Sequence, residues 1–167
     1  MALQEALNEV SNILWRERQL LELLVFKLEE EQLVLASGRT RWLQHSTREV
    51  ETVLGEIKRM ELDRSVHVEG LAAALGLQSN PSLRQLGEMT PTPWDQIFLE
   101  HRKALMDLTL EIDGVAKANR DFLTRGQLAT REALAALGDT ELNAYSPSGA
   151  QVGDRGMGTR RLIDEAI

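Results

Sequence analysis

From Phe98 to Ala136 the chain keeps an unbroken 3-4-3-4 spacing: Phe98, His101, Leu105, Leu108, Ile112, Val115, Asn119, Phe122, Gly126, Ala129, Ala133 and Ala136. Only His101, Asn119 and Gly126 interrupt its apolar character. A helix turns about 100° per residue, so such a series forms one stripe that another helix must cover. The N-terminal stretch repeats the pattern through Leu3, Leu7, Val10, Leu14, Glu17, Leu21, Leu24, Leu28, Glu31 and Leu35, with two glutamates inside it. Ala6, Ile13, Leu20 and Val34 sit one position before members of this series and widen the stripe, as in helices of bundles.

These periods predict an all-α fold: an antiparallel bundle of three long helices with coiled-coil-like packing, one short connecting helix and a flexible C-terminal tail. The first helix is expected from about Leu3 to Ser37. Gly38 follows it as either a hairpin or a kink. The second starts near Thr40, with Leu43, Val50, Val53, Leu54, Ile57 and Met60 on one side. It continues or restarts through Val66, Val68, Leu71 and Leu75 before Gly76. Asn80-Pro81 marks the start of a short helix over Ser82 to Gly87. Thr92-Pro93-Trp94-Asp95 opens the third long helix, with Thr92 as cap, Pro93 at the first helical position and Asp95 at the positive end. That helix is expected to reach about Gly138, with a weak point at Gly126.

Beyond Asn143 the composition turns to Gly, Ser and Pro, which divides the chain into a helical bundle, 1–142, and a flexible tail, 143–167. The last residues, Arg160 to Ile167, read as a short amphipathic turn that forms on a partner.

Composition removes several functions. With 19 Lys plus Arg against 26 Asp plus Glu, the net charge is −7 and no basic stripe stands out, so no nucleic-acid partner is expected. There is no cysteine, which excludes disulfides and thiol chemistry. Met1 to Val10 lacks the charged start and apolar run of a secretory signal, and no stretch suits a membrane span. A cytoplasmic protein without membrane insertion is the expectation. The residues three before His45, His67 and His101 are Trp42, Arg64 and Phe98, so the Glu-x-x-His motif of bundle metal sites is absent. His101 reads as a hydrogen-bonded interior histidine, and Asn119 as a residue that fixes register or bonds across the bundle. Asp107 and Glu111 lie one turn apart, as on many exposed faces. No phosphate loop or nucleophile elbow occurs. No enzyme activity, metal or cofactor is expected.

Surplus apolar residues point to partners. Leu23, Phe26 and Leu33 lie off the main stripe of the first helix. Either that helix is central and touches neighbours on both sides, or the three form a second interface, with another copy or with a partner. After Gly126 the stripe shrinks to alanines while Leu128, Leu134 and Leu137 move to other faces. They either close the bottom of the bundle or await a partner.

Leu14-Trp-Arg-Glu-Arg-Gln-Leu-Leu-Glu-Leu-Leu24 and Lys27-Leu-Glu-Glu-Glu-Gln-Leu33 resemble the leucine- and glutamate-rich first helix of FlgN-type flagellar export chaperones. Asn119-Arg-Asp-Phe-Leu123 is similar to that family's asparagine, polar pair and leucine, and Tyr145 followed by Gly149 to its tyrosine-then-glycine tail. The Trp94-centred helix start and the long 76–92 connection look like a variant branch. The resemblance implies a cytosolic chaperone that keeps the hook-filament junction proteins FlgK and FlgL unpolymerised and delivers them to the flagellar type III export gate. It places cargo binding late in the last helix and in the tail, at Leu128, Leu134, Leu137, Leu142 and Tyr145. The competing function is a self-associating coiled-coil scaffold or adaptor, with nearly the same fold.

Overall fold

Every member of the first stripe from Leu7 to Glu31 is withdrawn from solvent: Leu7, Val10, Leu14, Glu17, Leu21, Leu24, Leu28 and Glu31. The helix that carries them, α1, spans Ala2–Ser37. The computed structural model describes residues 2–136. Within that range α1 is followed by a single 3₁₀ turn at Thr40–Trp42, then α2 (Leu43–Leu75), the short α3 (Leu83–Met89) and α4 (Trp94–Ala136). The described residues are all-α. Leu137 and everything after it, including the tail and the turn at Arg160 to Ile167, lie outside them.

Gly38 is a hairpin and not a kink. It adopts φ +68, a left-handed conformation that costs a glycine little, and the chain reverses there. Hydrogen bonds between α1 and α2 show the reversal. Glu31 and Thr47 are 16 residues apart, Lys27 and Glu49 22, and Glu17 and Arg64 47, so separation grows away from the turn and the helices run antiparallel.

α2 is continuous through Val66 to Leu75. Its end is a Schellman motif: Gly76, at φ +70, donates to the carbonyl of Ala73, and Leu77 donates to that of Ala72. Val50, Val53, Ile57, Val68 and Leu71 are buried. Val66, expected beside them, is 69% exposed; it lies two residues from Val68 and therefore on nearly the opposite side of the helix.

The short helix expected over Ser82 to Gly87 starts one residue later and ends two residues later, at Leu83–Met89. Asn80 takes φ 57, and Ser82 is the N-cap, its hydroxyl accepting from the Gln85 amide while the Gln85 side chain accepts from the Ser82 amide. α3 lies on the first turns of α4, where Leu83, Leu86, Trp94 and Phe98 are buried together. The approach is close at Gly87, where an added Cβ would stand 3.3 Å from Cγ of Leu99.

At the start of α4 the expected Thr92 cap is replaced by another arrangement, and the helix begins at Trp94, one residue after the Pro93 start expected. The Thr92–Pro93 peptide is cis, the Pro93 carbonyl accepts the first helical bond from Ile97, and the Thr92 hydroxyl donates to Asp95 at 3.2 Å. Gly126 brings no break, for α4 is helical through it.

α1 is the central helix. It packs on α2 along one side and α4 along another, whereas α2 and α4 scarcely touch. α4 runs parallel to α1: Ser11 and His101 are 90 residues apart, Leu28 and Asn119 91, and Glu31 and Asn119 88. The core carries Leu14, Leu21, Leu24 and Leu28 from α1, Val53 and Ile57 from α2, and Phe98, Leu105 and Ile112 from α4.

The α4 stripe does not stay interior to Ala136 as its spacing implied. Burial ends at Asn119; Phe122 is 42% exposed, and Gly126, Ala129 and Ala133 are exposed. A register of about 90 sets Ser37, the last residue of α1, beside the Gly126 turn. Past that level α1 has nothing left to lay against α4.

Candidate functional site

Two surfaces and one polar interior stand out. The first surface is the C-terminal part of α4. From Arg120 to Ala135 no side chain is buried, and these residues make about four turns of helix. Phe122 is 42% and Leu128 52% exposed, while Leu134 is half-buried. Leu137, Leu142 and Tyr145 lie outside the described residues. The structure thus brings Leu128 and Leu134 onto one helical arm and leaves the other three undescribed.

The second surface is the side of α1 away from its core stripe. Leu23 is 38%, Phe26 54% and Leu33 70% exposed, so neighbouring helices leave Phe26 and Leu33 mostly open and cover Leu23 only in part despite the central place of α1. Leu23 also lines a groove of about 650 Å³ between α1 and α2. Leu20, Leu23 and Met60 give it apolar walls, and Arg16, Glu56, Arg59 and Asp63 supply charge at its edges. The 3-4 spacing could not show this groove, because Leu20 and Met60 read as core residues. The available signal was that Leu20 lies beside the stripe and not in it, the position of a groove wall.

The glutamates inside the α1 stripe are polar clamps. Glu31 accepts from the Thr47 hydroxyl on α2 at 3.0 Å and from Asn119 Nδ2 on α4 at 3.3 Å, so it ties all three long helices together. Asn119 Nδ2 also donates to the Leu28 carbonyl at 2.9 Å, which is the cross-helix bond its stripe position suggested. Glu17 accepts from Arg64 at 3.1 Å with both side chains buried. Burial pushes the Glu17 carboxyl up, and Arg64 opposes the shift. On the adjacent turn of α2, burial raises Glu61 to about 7 against the opposing pull of Arg64.

His101 is interior, as expected. Its Nε2 lies 3.4 Å from the Ser11 hydroxyl, and the Trp15 ring meets it edge-on at 5.1 Å. Arg18 stacks over Trp15 at 4.2 Å. Burial, helped by the Arg18 charge, lowers His101 to about 4, so the imidazole is neutral near pH 7. Among the described residues no group of three or more His, Asp or Glu is placed to hold a metal. Asp107 is engaged by Lys103 on the exposed face of α4. No helix among the described residues is long and apolar enough to cross a membrane.

A family model described as FlgN protein matches residues 1–153, which is most of the 167-residue chain. The chain belongs to the FlgN family. Membership makes it a flagellar export chaperone in general kind, from a family known for binding flagellar proteins and not for catalysis. No curated protein and no solved structure matches it. The match runs through α1 to α4 and into the residues after Ala136, so the proposed cargo residues Leu128, Leu134, Leu137, Leu142 and Tyr145 all fall within it.

Proposed function

We propose that this FlgN-family chain is a cytosolic chaperone that binds hook-filament junction proteins of the FlgK and FlgL type and delivers them to the flagellar type III export gate. Cargo is held by the end of α4 and the residues after it, through Leu128, Leu134, Leu137, Leu142 and Tyr145. One observation carries this reading: α4 runs on from Arg120 to Ala135 without burying a single side chain. The part of α4 beyond Gly126 extends past the end of α1 with Leu128 52% exposed, and it offers that apolar contact at little cost in ordering, since it is already formed. The Gly- and Ser-containing residues beyond Asn143 suit coupled folding, whose ordering cost moderates affinity and favours release at the gate.

A pull-down against hook-junction subunits tests this, comparing chains ended at Gly126 and at Leu142, with circular dichroism to show that each is folded. The longer chain should retain cargo and the shorter should lose it. A folded chain ending at Gly126 that binds as tightly as the full protein would place the cargo surface elsewhere.

The alternative is a self-associating scaffold. It is favoured by the exposure of Leu23, Phe26 and Leu33 together, because large apolar residues aligned on one helix are a usual mark of an interface. Light scattering of the purified protein separates the readings: a scaffold is oligomeric and indifferent to junction subunits.

A further inference from the structure

No residue of α4 lines the groove between α1 and α2. Its walls are Leu20, Leu23 and Met60, with Arg16 and Arg59 set among Glu56 and Asp63. An occupant must be short, apolar on one side and charged with both signs. One segment of this chain has that composition. Arg160-Arg-Leu-Ile-Asp-Glu-Ala-Ile167 places Leu162, Ile163, Ala166 and Ile167 at i, i+1, i+4 and i+5, one side of a helix, flanked by two arginines and by Asp164 and Glu165. We infer that residues 160–167 dock into the α1–α2 groove of their own chain, with the leucine-isoleucine pair against Leu20, Leu23 and Met60.

Charge and reach both allow it. Arg160 and Arg161 match Glu56 and Asp63, while Asp164 and Glu165 match Arg16 and Arg59. Because α4 runs parallel to α1 in a register of about 90, Ala136 stands beyond the end of α1, and the groove lies roughly 35–45 Å back along the bundle. The residues from 137 to 159 span at most roughly 75 Å when extended and average roughly 26 Å as a flexible coil. The return therefore needs neither full extension nor a slack loop. Whatever cargo α4 takes, docking would draw the residues that follow α4 back along the bundle, and a partner that seizes them must first release the groove.

The chain has no cysteine, so a double variant carries only the thiols placed in it. Gln19→Cys at the groove edge with Ala166→Cys should form an intrachain disulfide under mild oxidation of the full-length protein at micromolar concentration. A comparison pair, Leu110→Cys with Ala166→Cys, uses an exposed site on α4. The groove pair should close about tenfold faster than the comparison pair, through the raised effective concentration of a docked end. Adding Leu162→Glu and Ile163→Glu should bring the two rates together. Those substitutions lie outside the bundle, so circular dichroism should show α1 to α4 intact. Equal rates for the two cysteine pairs overturn the inference. So does a disulfide that joins two chains, which would assign the groove to a second copy.

Discussion

Arg64 on α2 and Glu17 on α1 form an ion pair at 3.1 Å with side chains 7% and 0% exposed. Glu17 stands inside the apolar stripe of α1, near the middle of that helix, and Arg64 is buried on α2 between the turns of Ile57 and Val68. Only one Glu17 oxygen is engaged; its Oε1, like that of Glu61, is buried without a hydrogen-bond partner. A buried pair of this kind contributes little net stability but is costly to break singly.

Arg64→Ala should therefore destabilise the chain by about 3–5 kcal/mol, because it leaves the Glu17 carboxylate buried and alone. Replacing both partners, Glu17→Leu with Arg64→Leu, should recover most of that loss. Urea denaturation of the two variants and the parent measures it, and single and double variants of equal stability would show that the pair is not coupled.

Glu61 gives the protein a pH dependence of definite sign. Its carboxyl is held up to about 7 in the fold against an ordinary 4.5, so the folded state binds the proton more tightly. Its contribution to stability is complete below 4.5 and is lost as pH rises through about 7. His101 acts the other way: lowered to about 4 from 6.5, it costs stability as pH falls below 6.5. Glu61→Gln should remove the first effect, worth about 1–2 kcal/mol once solvent around the half-buried group is allowed for. Relative to the Gln variant, the parent should therefore lose stability as pH rises from about 4.5 through about 7, whatever Glu17 and His101 contribute to both proteins. A parallel decline in both proteins toward pH 7 would refute the assignment.

Leu105 is fully buried on α4, whereas Leu108 is half-buried at the edge of the same stripe. Leu105→Ala should cost about 2–5 kcal/mol and Leu108→Ala clearly less. Thermal denaturation reads the difference. Equal losses would mean that α4 is rotated from the position described.

Asn119→Ala removes the donor that serves the Leu28 carbonyl and Glu31 at the last interior turn of α4. A loss of about 1–3 kcal/mol is expected, since it also strips a hydrogen bond from a buried carboxylate. Leu128→Ser, one of the proposed cargo contacts on the projecting arm, should change stability by less than about 0.5 kcal/mol. Its effect should appear in cargo pull-down instead.

Phe26→Glu addresses the outer face of α1. Phe26 is 54% exposed, so the monomer should keep its melting temperature within a few degrees. If the Leu23, Phe26 and Leu33 face is an interface, light scattering should show a smaller particle for the variant than for the parent.

The unbroken 3-4 spacing of α1 and α4, with Gly38, Gly76 and the three prolines from 81 to 93, was enough to determine that the described residues are all-helical and, to within a few residues, where most of their helices begin and end, because helix formation and termination are local events. Local pattern also marked His101 and Asn119 as interior, since each sits in step with apolar neighbours. What it could not decide was how far each stripe is covered. The spacing of α4 runs without a fault to Ala136, yet burial stops at Asn119, and past the level of Gly126 α1, which ends at Ser37, no longer lies beside it; coverage depends on the partner's length and register. Periodicity names a face and not its neighbour. For the same reason Glu17 and Glu31 read as interruptions, and only the packed helices brought Arg64, Thr47 and Asn119 within reach of them. Leu20, Leu23 and Met60 became the walls of a groove, and Phe26 and Leu33 were left largely in solvent, because α1 touches α2 and α4 on two sides and no third helix among the described residues closes the remaining one.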